Sequence, residues 1–213
     1  MSELLSHQLL PGQYGFERLD LKENPGFGET YATPEERTDR CLRVARWYFQ
    51  GFTDAGELDW THVFGQHPEW IADNATVFWS AFTPPPAQPV PYRALTAASA
   101  NGKVPLAVRE GRAMRTMMPD FGTVPGSFRA MPWENGVTFS MIHGGTRASG
   151  ERVDMWELNT VLLDEKGLLL HWDNWANERV LEEMFQANYG HSFQGLDFAT
   201  YSDEIDAKLA QAT

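Results

Sequence analysis

The stretch Leu162–Trp175, "LLDEKGLLLHWDNW", decides how the chain folds. Its leucines on either side of Asp-Glu-Lys-Gly read as two strands joined by a tight turn, with Gly167 where a left-handed residue is needed. The second strand then runs straight into His171-Trp172-Asp173-Asn174-Trp175. Burying a carboxylate costs several kcal/mol unless it is paired, hydrogen-bonded or protonated. Either that end of the strand reaches water, or Asp173 is held in a pocket for chemistry.

Working outward, "GVTFSMIHGGTR" (136–147) and "ERVDMWELNTVLLD" (151–164) read as the preceding strands, joined at "ASG". Helices come earlier. "TPEERTDRCLRVARWYFQGF" (33–52) has Thr33 as a cap, Pro34 at the first helical position, acidic Glu35-Glu36 and a broad apolar stripe, ending near Asp54-Ala55-Gly56. "ELDWTHVF" (57–64) and "VPLAVREGRAMRTMMPDF" (104–121, cut at Pro119) are further helices, and "EWIADNATVFW" (69–79) is a first strand. The proline-rich loop 83–92, "TPPPAQPVPY", cannot donate to a ladder and reads as a stiff excursion, a lid or a partner contact. Helices over 176–189 and near 202–211 complete an α+β layout. Residues 1–33 form an irregular arm, 34–189 the α+β domain, and 190–213 a C-terminal extension.

The net charge is -12, with 29 acidic against 17 basic residues, which argues against nucleic acid and anionic membrane as partners. No apolar run reaches the roughly 18 residues of a membrane span, and the N-terminal stretch does not read as a secretory signal. The single cysteine, Cys41, rules out an intramolecular disulfide and a cysteine metal cluster. These features point to a cytoplasmic protein. No phosphate loop, dinucleotide fingerprint or paired metal-binding histidines occur, so no cofactor and no metal are expected.

Alternation along the strands places the polar side chains. Leu169, His171, Asp173 and Trp175 share one face of the last strand. A bulged turn at Gly167 sets Asn159 opposite Asp173, Glu157 opposite Trp175 and Val161 opposite His171; a two-residue turn would pair Asn159 with Trp172 instead. With Met141 and His143 from the third strand, one concave face would carry His143, Glu157, Asn159, His171 and Asp173. An apolar cleft raises an aspartate above its usual pKa of about 3.9 and tunes it for acid–base work. Each of these groups also has a structural reading: strand-end hydrogen bonds for Asp173, a turn for Asp54, a solvated face for Arg109, Arg112 and Arg115.

"MMPDF" and then 136–177, with Gly56-Glu57-Leu58-Asp59, Pro119-Asp120, Gly167 and Trp172-Asp173 in order, resemble the SnoaL-like branch of the nuclear transport factor two-like superfamily, over residues 35–185. The resemblance implies a cone of N-terminal helices packed into a curved antiparallel sheet around a pocket. It implies cofactor-free acid–base chemistry on a hydrophobic, aromatic small molecule: an isomerase, cyclase, dehydratase or lyase, including loss of formaldehyde from a lignin-derived diaryl compound. By the same resemblance Asp173 matches an acid–base aspartate and Asp54 a base at the end of the first helix. Asn159 stands where a histidine is usual, and Tyr48 matches a helix tyrosine that donates to an oxyanion. His143 is a supporting candidate, with Glu157, His171, Trp47, Trp175 and Met141 as pocket lining. A non-catalytic binding module is the alternative. The superfamily also implies a homodimer or higher oligomer through the outer sheet face, where Trp156, Leu158, Leu162, Leu168 and Leu170 would supply apolar area.

Overall fold

The structure, a computed structural model, describes residues 16–53, 67–80, 89–92 and 106–211. Helix α1 (Pro34–Thr53) starts where the cap signal places it. The Thr33 hydroxyl accepts from Glu36 N–H at 3.2 Å, and the Glu36 carboxylate accepts from Thr33 N–H at 3.1 Å. Such a reciprocal cap contributes about 1 kcal/mol. The chain continues through β1 (Ile71–Trp79), β2 (Val90–Pro91), α2 (Leu106–Met117), β3 (Gly122–Thr123), β4 (Arg129–Trp133), β5 (Gly136–Thr146), β6 (Arg152–Leu163), β7 (Leu169–Ala176), α3 (Glu178–Tyr189) and α4 (Phe198–Gln211). The expected end of the first helix at Asp54, the segment 57–64 and most of the proline-rich loop lie outside the described residues.

The architecture is α+β, with helices against a curved, open sheet. The sheet has seven strands in the order β2-β1-β7-β6-β5-β3, with β4 also paired to β5. It is mixed rather than wholly antiparallel, because β1 runs parallel to β7. The two are far apart in sequence, so no hairpin forces them to oppose. Three short strands, β2, β3 and β4, escape the periodicity argument. β4 contains Pro132 and leaves alternate residues exposed, and β2 is the tail of the proline loop. Both avoid interior positions, as proline requires.

Inward-facing Val137, Phe139, Val161 and Trp172 form one core with Val44, Tyr48 and Phe49 of α1. Residues 16–33 cover the helix from outside. Lacking a ladder of its own, this arm borrows partners from α1: fully buried Gln50 accepts from Leu19 N–H at 2.8 Å and donates to Leu19 O at 2.7 Å. Trp47 Nε1 donates to Leu21 O and Arg40 Nη1 to Glu29 O. Buried backbone polar groups need such partners wherever secondary structure is absent. At the far end Arg109 is buried rather than solvated; it donates to Ser202 Oγ at 2.8 Å and pairs with Asp206, tying α2 to α4. Among the described residues no helix is long and apolar enough to cross a membrane.

The β6–β7 turn forms as its residues suggest. Gly167 has φ +78°, its N–H reaches Asp164 O at 2.9 Å, and Leu163 faces Leu169. One step further Leu162 faces His171, so Leu170 is an extra residue, a β-bulge. Beyond it the register is displaced by one from the expectation: Asn159 lies opposite Asn174, Thr160 opposite Asp173 and Glu157 opposite Ala176.

Gly167 also seats the arm, because a Cβ there would lie 2.7 Å from Arg40 Nη1 and 2.8 Å from Glu29 O. Gly167→Ala is expected to lower stability by about 1–3 kcal/mol, from the left-handed backbone and the displaced arm together. Denaturant unfolding of the two proteins measures it.

Candidate acid–base site

The bulge exchanges the faces of β7. Trp172, Asn174 and Ala176 now point inward with Leu169, and His171, Asp173 and Trp175 point outward. This corrects the sequence reading of the last strand. Asp173, the expected acid–base group, lies on the outer face, where its Oδ1 meets His171 Nε2 at 2.7 Å. His171 Nδ1 in turn meets Thr76 Oγ1 at 2.6 Å. Trp175 is exposed against Phe78. These side chains are hydrogen-bonded or solvated where they stand and contribute nothing to the interior.

The inner face keeps the other half of the expected constellation. Met141 pairs with Glu157 across β5 and β6, and His143 with Met155. Asn159 and Asn174 face each other across β6 and β7. Met141, His143, Glu157, Asn159 and Asn174 are all buried. Tyr48 reaches down from α1 and stacks on Trp172, ring centroids 6.3 Å apart. Trp47, one residue earlier, points the other way, edge-on to Phe27 of the arm, so it is core and not lining. Asp54 lies outside the described residues.

Asn174 Nδ2 donates to Glu157 Oε2 at 3.2 Å and to Asn159 Oδ1 at 2.9 Å, and Trp172 Nε1 donates to the same Asn159 oxygen at 3.2 Å. His143 Nε2 lies 3.8 Å from Glu157 Oε2, beyond hydrogen-bond reach, while its Nδ1 meets Thr123 Oγ1 at 3.1 Å. Burial pushes the Glu157 carboxyl up to about 7, against the pull of the Asn174 and Asn159 amides. Burial also pushes the His143 imidazole down to about 4. Between these values both are neutral, and near pH 7 Glu157 can either give or take a proton. Burial raises the Tyr48 phenol too, so it stays a hydrogen-bond donor, with Tyr92 against it. Among the described residues no group of three His, Cys, Asp or Glu side chains is placed to hold a metal.

Asn174 and Trp172 are the site residues that sequence reasoning assigned to the wrong face, and Tyr92 went unremarked at the end of the proline loop. Nothing in the stretch 168–172 announces the bulge.

Linkage sets the sign of the pH effect. Glu157, raised from 4.5 to about 7, adds stability below pH 4.5 that is lost as pH rises through about 7. His143, lowered from 6.5 to about 4, adds stability above pH 6.5 that is lost as pH falls through about 4. Glu157→Gln removes only the first effect. The variant should therefore gain on the wild type by up to about 3 kcal/mol as pH rises from about 4.5 to about 8. Parallel urea melts across that range check it.

No family model matches the chain, and no curated protein does. Solved structures do resemble it. A Bacillus subtilis protein proposed to be an isomerase is 12% identical, with TM-score 0.39, covering 72% of this chain and 96% of its own. An NTF2-like protein from Burkholderia xenovorans is 9% identical, with TM-score 0.37, covering 71% and 96%. A steroid delta-isomerase from Pseudomonas aeruginosa is 9% identical, with TM-score 0.33, covering 73% and 96%.

Proposed function

We propose that the inner face is a cofactor-independent acid–base site for a neutral, largely apolar small molecule, with Glu157 as the proton-transfer group. One observation carries this: a carboxyl buried on the inner face, with the Asn174 amide donating to it and burial pushing it up to about 7. A carboxyl kept only for structure gains nothing from such a position, whereas proton transfer is fastest when the group's pKa lies near the working pH. In this reading Glu157 takes a proton from carbon or oxygen and returns it elsewhere on the same molecule. The Tyr48 hydroxyl and the neutral His143 ring are the candidate donors to the oxyanion that develops. The outcome is isomerisation when the proton returns, dehydration when hydroxide leaves, and lysis when a hydroxymethyl carbon departs as formaldehyde.

The test is mass spectrometry of hydroxylated aromatic and diaryl compounds incubated with the protein in chelating buffer. Formaldehyde, a loss of water, or an isobaric product with shifted retention distinguishes the three outcomes. Glu157→Gln should slow the reaction by roughly 100-fold or more, the scale of general acid–base catalysis. Asp173→Asn, on the outer face, should leave it within about threefold, well below that scale. The reverse pattern would return the chemistry to the outer face.

A second reading concerns assembly. Met131, Trp156, Leu158 and Trp175 are 67%, 50%, 37% and 44% exposed, and they share the outer face with Ile142 and Leu162. Leu168 and Leu170 pack against the core instead. We propose that a second copy covers this apolar face. Light scattering should give a dimer or larger oligomer that Trp156→Glu dissociates; a monomeric wild type would refute it.

A further inference from the structure

The amide network on the inner face has only one consistent orientation. An indole N–H can only donate, so the atom of Asn159 that meets Trp172 Nε1 is its oxygen. The atom of Asn174 that meets this oxygen is therefore its nitrogen, which also suits the Glu157 carboxyl it touches. Flipping either amide sets donor against donor or acceptor against acceptor. The remaining two atoms, Asn174 Oδ1 and Asn159 Nδ2, are buried without a hydrogen-bond partner. Asn159 Nδ2 favours a charged Glu157 without completing a hydrogen bond to it. Both residues are 2% exposed. An unmet buried acceptor and an unmet buried donor on two hydrogen-bonded asparagines, each costing about 1–3 kcal/mol when left so, are an arrangement that a ligand completes.

The chemistry of the two atoms selects the ligand. Asn174 Oδ1 needs a donor, so a ketone, ether or carboxylate leaves it unmet. Asn159 Nδ2 needs an acceptor, so an ammonium leaves it unmet. An anion would also sit against the Glu157 carboxyl. A neutral hydroxyl both donates and accepts. The surroundings are flat and apolar, with Trp172 stacked under Tyr48 and Phe139 beside it. We propose that the Asn159–Asn174 pair recognises a hydroxyl group on a neutral aromatic ligand, the hydroxyl donating to Asn174 Oδ1. This rests on the inner face being a ligand site, and it deepens the acid–base reading by naming the group that orients the molecule beside Glu157.

The bland alternative is a buried water that satisfies the same two atoms and is never displaced. Calorimetric titration with 4-ethylphenol and 4-ethylanisole separates the two, since these probes differ only by a methyl on the oxygen. The wild type should bind the phenol at least about tenfold more tightly, the scale of discrimination when a buried polar group is left unpaired. Asn174→Ala should erase that preference, and Glu157→Gln should keep it. Equal affinities, no binding of either probe, or a preference that survives in Asn174→Ala overturns the proposal. The wild-type comparison decides even if Asn174→Ala melts early. Because binding is read without turnover, a retained preference with a fully active Glu157→Gln would sink the acid–base reading alone. Equal affinities with an inactive Glu157→Gln would sink only this one.

Discussion

Between the β6–β7 turn and the end of the sheet, β7 carries one residue more than its partner, and that bulge governs the interior. Side chains alternate along a strand, so a single added residue sends every later one to the opposite face. The bulge has an energetic logic. Without it Asp173 would face the core and Trp172 would face solvent, whereas with it the indole is buried and the carboxylate reaches the partly buried His171–Thr76 chain. Burying an indole in place of a carboxylate is worth more than one disrupted ladder step.

The same displacement brings Asn174 opposite Asn159 and within reach of Glu157. Two amides and an indole then form a network in which Trp172 Nε1 and Asn174 Nδ2 have their acceptors, leaving Asn174 Oδ1 and Asn159 Nδ2 over on the inner face. Glu157 is held by a hydrogen bond from the neutral Asn174 amide and not by a cation. Neutral amides moderate the cost of burial without cancelling it, and so burial still pushes its carboxyl up to about 7. On the outer face Asp173 is partly solvated and touches an imidazole. Two acidic side chains on strands that pair with each other thus have opposite environments, decided by which way the strand presents them.

Around this sheet the rest of the chain acts as cover. The arm 16–33 has no strand or helix, yet Gln50, Trp47 and Arg40 satisfy its backbone while Phe27 stacks on Trp70. The apolar surface of α1 is therefore wrapped on the side away from the sheet. At the opposite end α4 places Tyr201 and Ile205 in the common core, and the buried Arg109 bridges it to α2. The Pro-Asp step after α2 is used structurally, since Asp120 accepts from Thr146 N–H at 2.6 Å and from its hydroxyl at 2.8 Å. That bond lashes the end of the helix to the end of β5.

By itself the sequence determined what local chemistry controls: the capped start of α1, the helix stopped at Pro119, the long strands β5, β6 and β7, and the Gly167 turn. It also placed Met141, His143, Glu157 and Asn159 correctly on one face, because β5 and β6 alternate without interruption. Tertiary structure decided the rest. The bulge at Leu170 comes from the balance of burying Trp172 against burying Asp173, a comparison between environments that no stretch of sequence contains. The parallel β1–β7 pairing and the edge strands β2 and β4 depend on neighbours distant in the chain, and so does the burial of Arg109. Which carboxyl faces inward follows from those long-range choices, so the burial of Glu157 was legible in the alternation of β6, but the outward turn of Asp173 was not.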